Sequence, residues 1–131
     1  MANEIQQTVL LSCTNGDFNQ PQLGTPQSIN QSTPGGGAPG YLSVGVAEVD
    51  IDLSGFNTPG VLYIKNIGEY GTGTGPPVIT YGPKSGGSLI EFGDLKEGEE
   101  ASFRLTGEYT PTLTLISTEL DTRVQLVILE D

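Results

Sequence analysis

The sequence contains no histidine and no tryptophan, and Cys13 is its single cysteine. Serine and cysteine nucleophiles usually need a histidine base, so the absence of histidine argues against nucleophilic catalysis. One cysteine cannot form an intrachain disulfide, and without histidine the usual nitrogen and sulfur ligands of zinc are missing. We therefore expect a protein that is not an enzyme and holds no cofactor. A calcium site built from oxygen ligands between strand loops stays open.

Basic residues are also scarce, with 5 lysines and arginines against 16 aspartates and glutamates, a net charge of -11. Affinity for nucleic acids comes largely from basic side chains that neutralise phosphates, so no nucleic acid partner is expected. Binding to anionic membranes needs the same kind of residues. The acidity fits either a soluble, self-repelling chain or one that meets a basic protein surface.

Long apolar runs are missing as well. Runs such as those at residues 9–11 and 126–129 fall far short of the roughly 20 residues of a membrane-spanning helix. The first residues carry no basic region followed by an apolar stretch, so we expect no signal peptide. A length of 131 residues fits one domain of ordinary size.

The pattern that is present is one of strands separated by Gly/Pro turns. No segment has convincing helical periodicity, and about eight short segments alternate or are apolar throughout. The predicted strands are residues 4–13, 41–53, 60–67, 78–81, 88–92, 100–105, 112–117 and 122–130. This predicts an all-β chain, an antiparallel β-sandwich or jelly-roll-like domain with a long irregular N-terminal arm.

Two predicted strands leave alternatives open. In residues 41–53 the apolar positions change parity between Val46 and Val49, which indicates either a β-bulge or two strands that turn a corner. The last strand, 122–130, is apolar on both faces. It must therefore be either central in a sheet or covered by a neighbouring subunit.

The segment 14–40 has a different composition, rich in Gly, Pro and Gln and poor in apolar residues. It predicts a long loop or extended arm rather than a strand region. Long structureless segments in compact domains are often functional. We expect residues 1–40 to form a strand and this arm, and residues 41–131 the sandwich, within a single structural domain. Phe18, Leu23 and Ile29 are the candidate anchors for contact with a partner.

Other candidate sites are weaker. Asp50 and Asp52 share one strand face, but a glycosidase needs two carboxylates across a cleft, so a solvated outer face is expected. Residues 97–100 predict a charged turn. The Gly-rich residues 71–75 are not followed by a helix or a Gly-Lys-Ser/Thr sequence, which argues against a nucleotide site. The tyrosines could stack on sugars or fill the core and strand edges; they are Tyr41, Tyr63, Tyr70, Tyr81 and Tyr109.

Three stretches in the second half resemble a known group of proteins. They are Val-Leu-Tyr-Ile-Lys-Asn at 61–66, Leu-Lys-Glu-Gly-Glu at 95–99 leading into the strand 101–105, and the apolar strand with an acidic tail at 124–131. This layout resembles small all-β virion proteins of tailed bacteriophages, both head decoration proteins and tail or fibre accessory proteins. The resemblance covers about residues 60–131 and transfers no functional residue.

The resemblance implies a jelly-roll-like virion structural protein. Its expected role is capsid decoration: binding the major capsid protein on the outer shell and stabilising it, as a homo-oligomer on the capsid exterior. A tail, neck or fibre component and a carbohydrate-binding β-sandwich module are the alternatives. Extended polar arms suit such a role, because the entropy lost on ordering them is offset by many contacts with neighbouring subunits.

Overall fold

The computed structural model describes residues 5–15, 18–29, 36–53, 55–56, 59–69, 75–105 and 113–130. Within these ranges the chain is all-β, as predicted, and no helix occurs. The strands are β1 Ile5–Gln7, β2 Leu11–Asn15, β3 Phe18–Leu23, β4 Gln27–Ile29, β5 Gly36–Val44, β6 Val49–Ile51, β7 Pro59–Glu69, β8 Val78–Ser85, β9 Ser88–Leu89, β10 Gly93–Lys96, β11 Glu100–Arg104, β12 Leu113–Ser117 and β13 Thr122–Glu130.

Two antiparallel sheets form the body of the molecule. One has the strand order β10-β8-β12-β6, with β9 paired to β8, and the other has the order β11-β7-β13-β5. Their inner faces share one apolar core, to which the first sheet contributes Ile79 and Leu115 and the second Leu62, Ile64 and Leu126. All five side chains are at most 1% exposed. The predicted antiparallel β-sandwich is therefore confirmed.

The last strand lies in the middle of its sheet. β13 pairs with β5 on one side and β7 on the other. Its alternate residues Val124, Leu126 and Ile128 are buried in the core, while Val127 and Leu129 on the opposite face are half-buried. Of the two alternatives for this strand, the central position is correct.

The predicted strand 41–53 divides at its parity change. β5 ends at Val44 in one sheet, and β6 begins at Val49 in the other. The chain thus turns a corner between the sheets, and the β-bulge alternative is wrong. The turn lets apolar residues on both sides of the parity change, such as Val44 and Leu53, face the same core.

Strand β8 was predicted too short. Instead of ending at Gly82-Pro83 it continues to Ser85, and Gly82 and Pro83 pair with residues of β12. Pro83 has no amide hydrogen to donate, but its carbonyl still takes part in the pairing and accepts a hydrogen bond from the Ile90 amide at 2.8 Å. A side chain at Gly82 would overlap the Ile90 carbonyl, which explains why glycine sits in this strand.

The prediction that residues 14–40 are not a strand region is wrong. β3, β4 and the first half of β5 lie within it. β1 pairs with β4 and β2 with β3, so residues 5–15 and 18–29 form two antiparallel strand pairs, together called the N-terminal ribbon. The pairing uses backbone groups, which polar residues supply as well as apolar ones. Between the two pairs, Gly24 adopts a φ of 117° beside the Val9 carbonyl, where a side chain would clash.

Candidate binding surfaces

The base of the N-terminal ribbon is attached to the outer face of the β11-β7-β13-β5 sheet. Ile5 is only 5% exposed, and the Gln7 Nε2 donates a hydrogen bond to the Ser102 Oγ at 3.0 Å. Ser102 points outward because its neighbours Ala101 and Phe103 pack against the core. The ribbon is thereby fixed to the sandwich near β1 and β4.

Farther along the ribbon, the apolar side chains face solvent. Val9, Leu10, Leu11 and Leu23 are 60%, 58%, 60% and 53% exposed. Leu11 and Leu23 are cross-strand partners, so their side chains start close together. We call these four exposed apolar residues of the ribbon the ribbon patch.

The structure describes the side chain of only one of the three predicted anchor residues. Leu23 belongs to the ribbon patch, whereas Phe18 and Ile29 lie in β3 and β4 with side chains outside the described part of the structure. The sequence reasoning did not single out Val9, Leu10 and Leu11 as exposed candidates for contact with a partner. The signal was present, since they form a run of three consecutive apolar residues.

The ribbon is nearly free of charge. Residues 5–29 include a single ionisable acidic side chain, Asp17, and no basic one, although the chain as a whole carries a net charge of -11. Like-charged surfaces repel one another, so the ribbon can approach another acidic or apolar surface at low electrostatic cost.

Beneath the ribbon lies a cleft of about 530 Å³, lined by residues 6–10 of the ribbon and by Tyr63, Glu100, Ala101 and Ser102. The Tyr63 hydroxyl donates a hydrogen bond to the Glu100 Oε2 at 2.6 Å, and the Lys65 Nζ lies 3.5 Å from the same oxygen. The hydrogen bond to Glu100 raises the pKa of Tyr63 to about 12. The bond from Tyr63, with the Lys65 charge, lowers the pKa of Glu100. Neither group is tuned to exchange protons near neutral pH.

A second cavity, of about 370 Å³, opens at the edge of the core. It is lined by Leu53, Tyr81, Gly82, Pro83, Phe92, Phe103, Arg104, Leu105 and Leu113. The Tyr81 and Phe103 rings stack across the two sheets with centroids 6.1 Å apart. Phe92 lies 6.1 Å from the Tyr81 ring and is 74% exposed. This aromatic cluster joins the sheets and leaves one ring in solvent.

A third cleft, of about 500 Å³, is lined by Tyr41, Leu42, Ser43, Asp121 and Arg123. Tyr41 is 63% exposed. The Ser43 Oγ donates a hydrogen bond to the Asp121 Oδ1 at 2.5 Å. This cleft combines an exposed ring with a carboxylate, a guanidinium and a hydroxyl group. We call it the Tyr41 cleft.

One member of the predicted carboxylate pair, Asp50, belongs to a surface ion cluster. Asp50 accepts hydrogen bonds from the Lys84 Nζ at 3.0 Å and from the Thr114 Oγ1 at 3.0 Å. Lys84 also lies 3.2 Å from Glu48. Mainly because of Lys84, the pKa of Asp50 is lowered, and the pKa of Lys84 is raised by its two carboxylates. Asp50 and Asp52 are exposed, as predicted for a solvated face.

Two further observations concern metals and membranes. Among the described residues, no group of three or more His, Cys, Asp or Glu side chains is arranged to hold a metal ion. In the same part of the chain, no helix is long and apolar enough to cross a membrane.

Comparisons with protein-family models, with curated proteins and with solved structures gave no match. The assignment of a β-sandwich therefore depends on the strand order and the shared core described above.

Proposed function

We propose that this chain is a non-enzymatic structural protein that decorates a phage capsid and attaches to the major capsid protein through the ribbon patch. The observation that carries the proposal is the exposure of Val9, Leu10, Leu11 and Leu23 on the N-terminal ribbon. A two-stranded hairpin is marginally stable alone in water and gains stability when its apolar side packs against another surface. A partner surface would supply that packing.

The charge distribution supports the same proposal. A neutral ribbon can enter a groove on a neighbouring protein, while the acidic sandwich faces solvent or basic patches of the shell. The choice of a phage capsid as the assembly rests on the resemblance of residues 60–131 to small phage virion proteins. Placement on the capsid exterior and homo-oligomerisation are parts of the proposal.

The described polar groups support a structural role rather than catalysis. Asp50 and Glu48 are paired with Lys84, and Glu100 is held by Tyr63 and Lys65. A general acid or base works best with a pKa near the operating pH. The pKa values of Asp50, Glu48 and Glu100 are all shifted downward, away from neutrality.

Copy number tests the location. Quantitative mass spectrometry of purified particles from the source should find this chain in amounts comparable to the major shell protein. A few copies per particle would instead assign it to the tail, neck or fibre. Its absence from particles would refute the virion role altogether.

Matched substitutions test the attachment surface. Leu11→Ser removes an apolar side chain from the ribbon patch, and Leu120→Ser makes the same change at a 73% exposed leucine between β12 and β13. Co-sedimentation with shells that lack the protein should be strongly reduced by Leu11→Ser and unchanged by Leu120→Ser. Equal effects of the two variants would show that the ribbon is not the contact.

A further inference from the structure

The strand register gathers an aromatic ring and several polar and charged side chains on one outer face of the sandwich. In the pairing of β5 with β13, Tyr41 lies opposite Gln125 and Ser43 lies opposite Arg123. The intervening residues Leu42 and Val124 face the core, so these four side chains emerge on the other face. Asp121 immediately precedes β13 and is tied to Ser43. An aromatic ring, a guanidinium, a carboxylate and an amide therefore share one surface.

We propose that the Tyr41 cleft binds a pyranose ring of a neutral glycan, a function separate from attachment through the ribbon. The C–H face of a pyranose is apolar and flat, and it packs on an exposed aromatic ring. Around that ring, the Asp121 carboxylate accepts hydrogen bonds from sugar hydroxyls, and the Arg123 guanidinium donates them. A cleft of about 500 Å³ is of the size that holds a small ligand.

The charge of the protein selects among glycans. Arg123 is the single basic residue among those that line the cleft, and Asp121 is acidic. The whole chain carries a net charge of -11, which repels sialylated or sulfated sugars. Neutral hexose units meet no such repulsion.

Among the described tyrosines, Tyr41 is the one that offers its ring to a ligand. Tyr81 is 8% exposed and stacks on Phe103 within the core. Tyr63 is half-buried with its hydroxyl bound to Glu100. Of the three described tyrosines, the sugar-stacking role is thus assigned to Tyr41; Tyr70 and Tyr109 lie outside the described residues.

The test uses the full chain against a panel of neutral oligosaccharides of glucose, galactose and mannose and matched sialylated ones. Binding is measured by isothermal titration calorimetry and by chemical-shift changes in the Tyr41 ring. We expect a neutral oligosaccharide to bind, Tyr41→Ala to weaken binding about tenfold or more, and Tyr41→Phe to retain it. Asp121→Asn should also weaken it.

Phe92→Ala is the matched control, because it removes another largely exposed aromatic ring outside the cleft. It should leave glycan binding unchanged. The proposal is overturned if no neutral oligosaccharide binds, if only sialylated ones bind, or if Tyr41→Ala and Phe92→Ala weaken binding equally while circular dichroism shows both folded. Shell attachment should be unaffected by Tyr41→Ala, so this result is independent of the ribbon.

Discussion

At the scale of single residues, Asn66 shows how one buried polar side chain joins the two sheets. Asn66 lies in β7 and is fully buried. Its Nδ2 donates hydrogen bonds to the carbonyls of Pro77 and Leu95, both at 2.9 Å, and its Oδ1 accepts one from the Gly68 amide at 3.0 Å. Pro77 and Leu95 belong to the opposite sheet and the turn that leads into it, so the amide bridges the sandwich.

Asn66→Ala should therefore be among the most damaging single substitutions. It leaves two carbonyls and one amide without partners in a dry site, and we expect a loss of about 2–4 kcal/mol in the free energy of unfolding. Urea denaturation measures it. Asn19→Ala is the control, since Asn19 is exposed in the ribbon. If Asn66→Ala lowers the free energy of unfolding no more than Asn19→Ala does, water molecules replace the hydrogen bonds of the Asn66 amide.

The hydrogen bond from Tyr63 to Glu100 predicts that the Tyr63 phenol titrates at a higher pH than an ordinary tyrosine. A folded-state pKa of about 12, above the ordinary 10.0, means that the neutral phenol is stabilised. This contribution to stability is complete below pH 10 and disappears as the pH rises through 12. Ultraviolet titration of phenolate should show a late component that Tyr63→Phe removes and Glu100→Gln moves to lower pH.

Tyr81 provides the internal control for that titration. The pKa of Tyr81 is also raised, but its main cause is burial. Because this cause does not involve Glu100, the Glu100→Gln substitution should leave it unchanged. Its component should stay in place in the Glu100→Gln variant. If every tyrosine titrated near its ordinary pKa, the hydrogen bond from Tyr63 to Glu100 would not persist in solution.

At the scale of elements, the ribbon should be separable from the sandwich. β5 begins at Gly36 and is paired along β13, so a deletion of residues 14–40 would remove half of an edge strand. Deleting residues 11–23 instead removes β2 and β3 and leaves β1 to pair with β4. We expect the melting temperature to change little, because the core is formed by the two sheets and Leu53. We expect shell attachment to be lost, because Leu11 and Leu23 of the ribbon patch are removed.

Calorimetry and shell co-sedimentation of this deletion variant check both parts of the expectation. A large fall in melting temperature would mean that the ribbon stabilises the sandwich as well as binding a partner. Retained attachment by a folded variant would contradict the role of the ribbon patch.

The same elements show what the sequence could predict. β13 was predicted with the bounds that it has, because alternation with period two directly reflects burial on one face. The ribbon was missed because its strands are held by backbone pairing and not by burial, so polar composition concealed them. Whether a tyrosine side chain faces the core or the solvent depends on the strand register and on where the chain passes from one sheet to the other. The local sequence pattern does not determine either.

At the scale of the whole molecule, the acidic charge opposes the compact state. The chain has 16 acidic and 5 basic residues. Two lysines account for the ion pairs described: Lys84 neutralises Glu48 and Asp50, and Lys65 approaches Glu100. Many of the remaining carboxylates repel one another, and unfolding increases their separation.

Salt should consequently stabilise this protein. The screening length falls from about 30 Å at 0.01 M salt to about 10 Å at 0.1 M, which weakens repulsion between distant carboxylates more than the close pairs at Lys84. We expect the melting temperature at neutral pH to rise across this range, equally in NaCl and KCl. Lys84→Met removes the cation between Glu48 and Asp50 and should enlarge the rise. A melting temperature that falls with salt would mean that ion pairs, rather than repulsion, dominate the surface electrostatics of the folded chain.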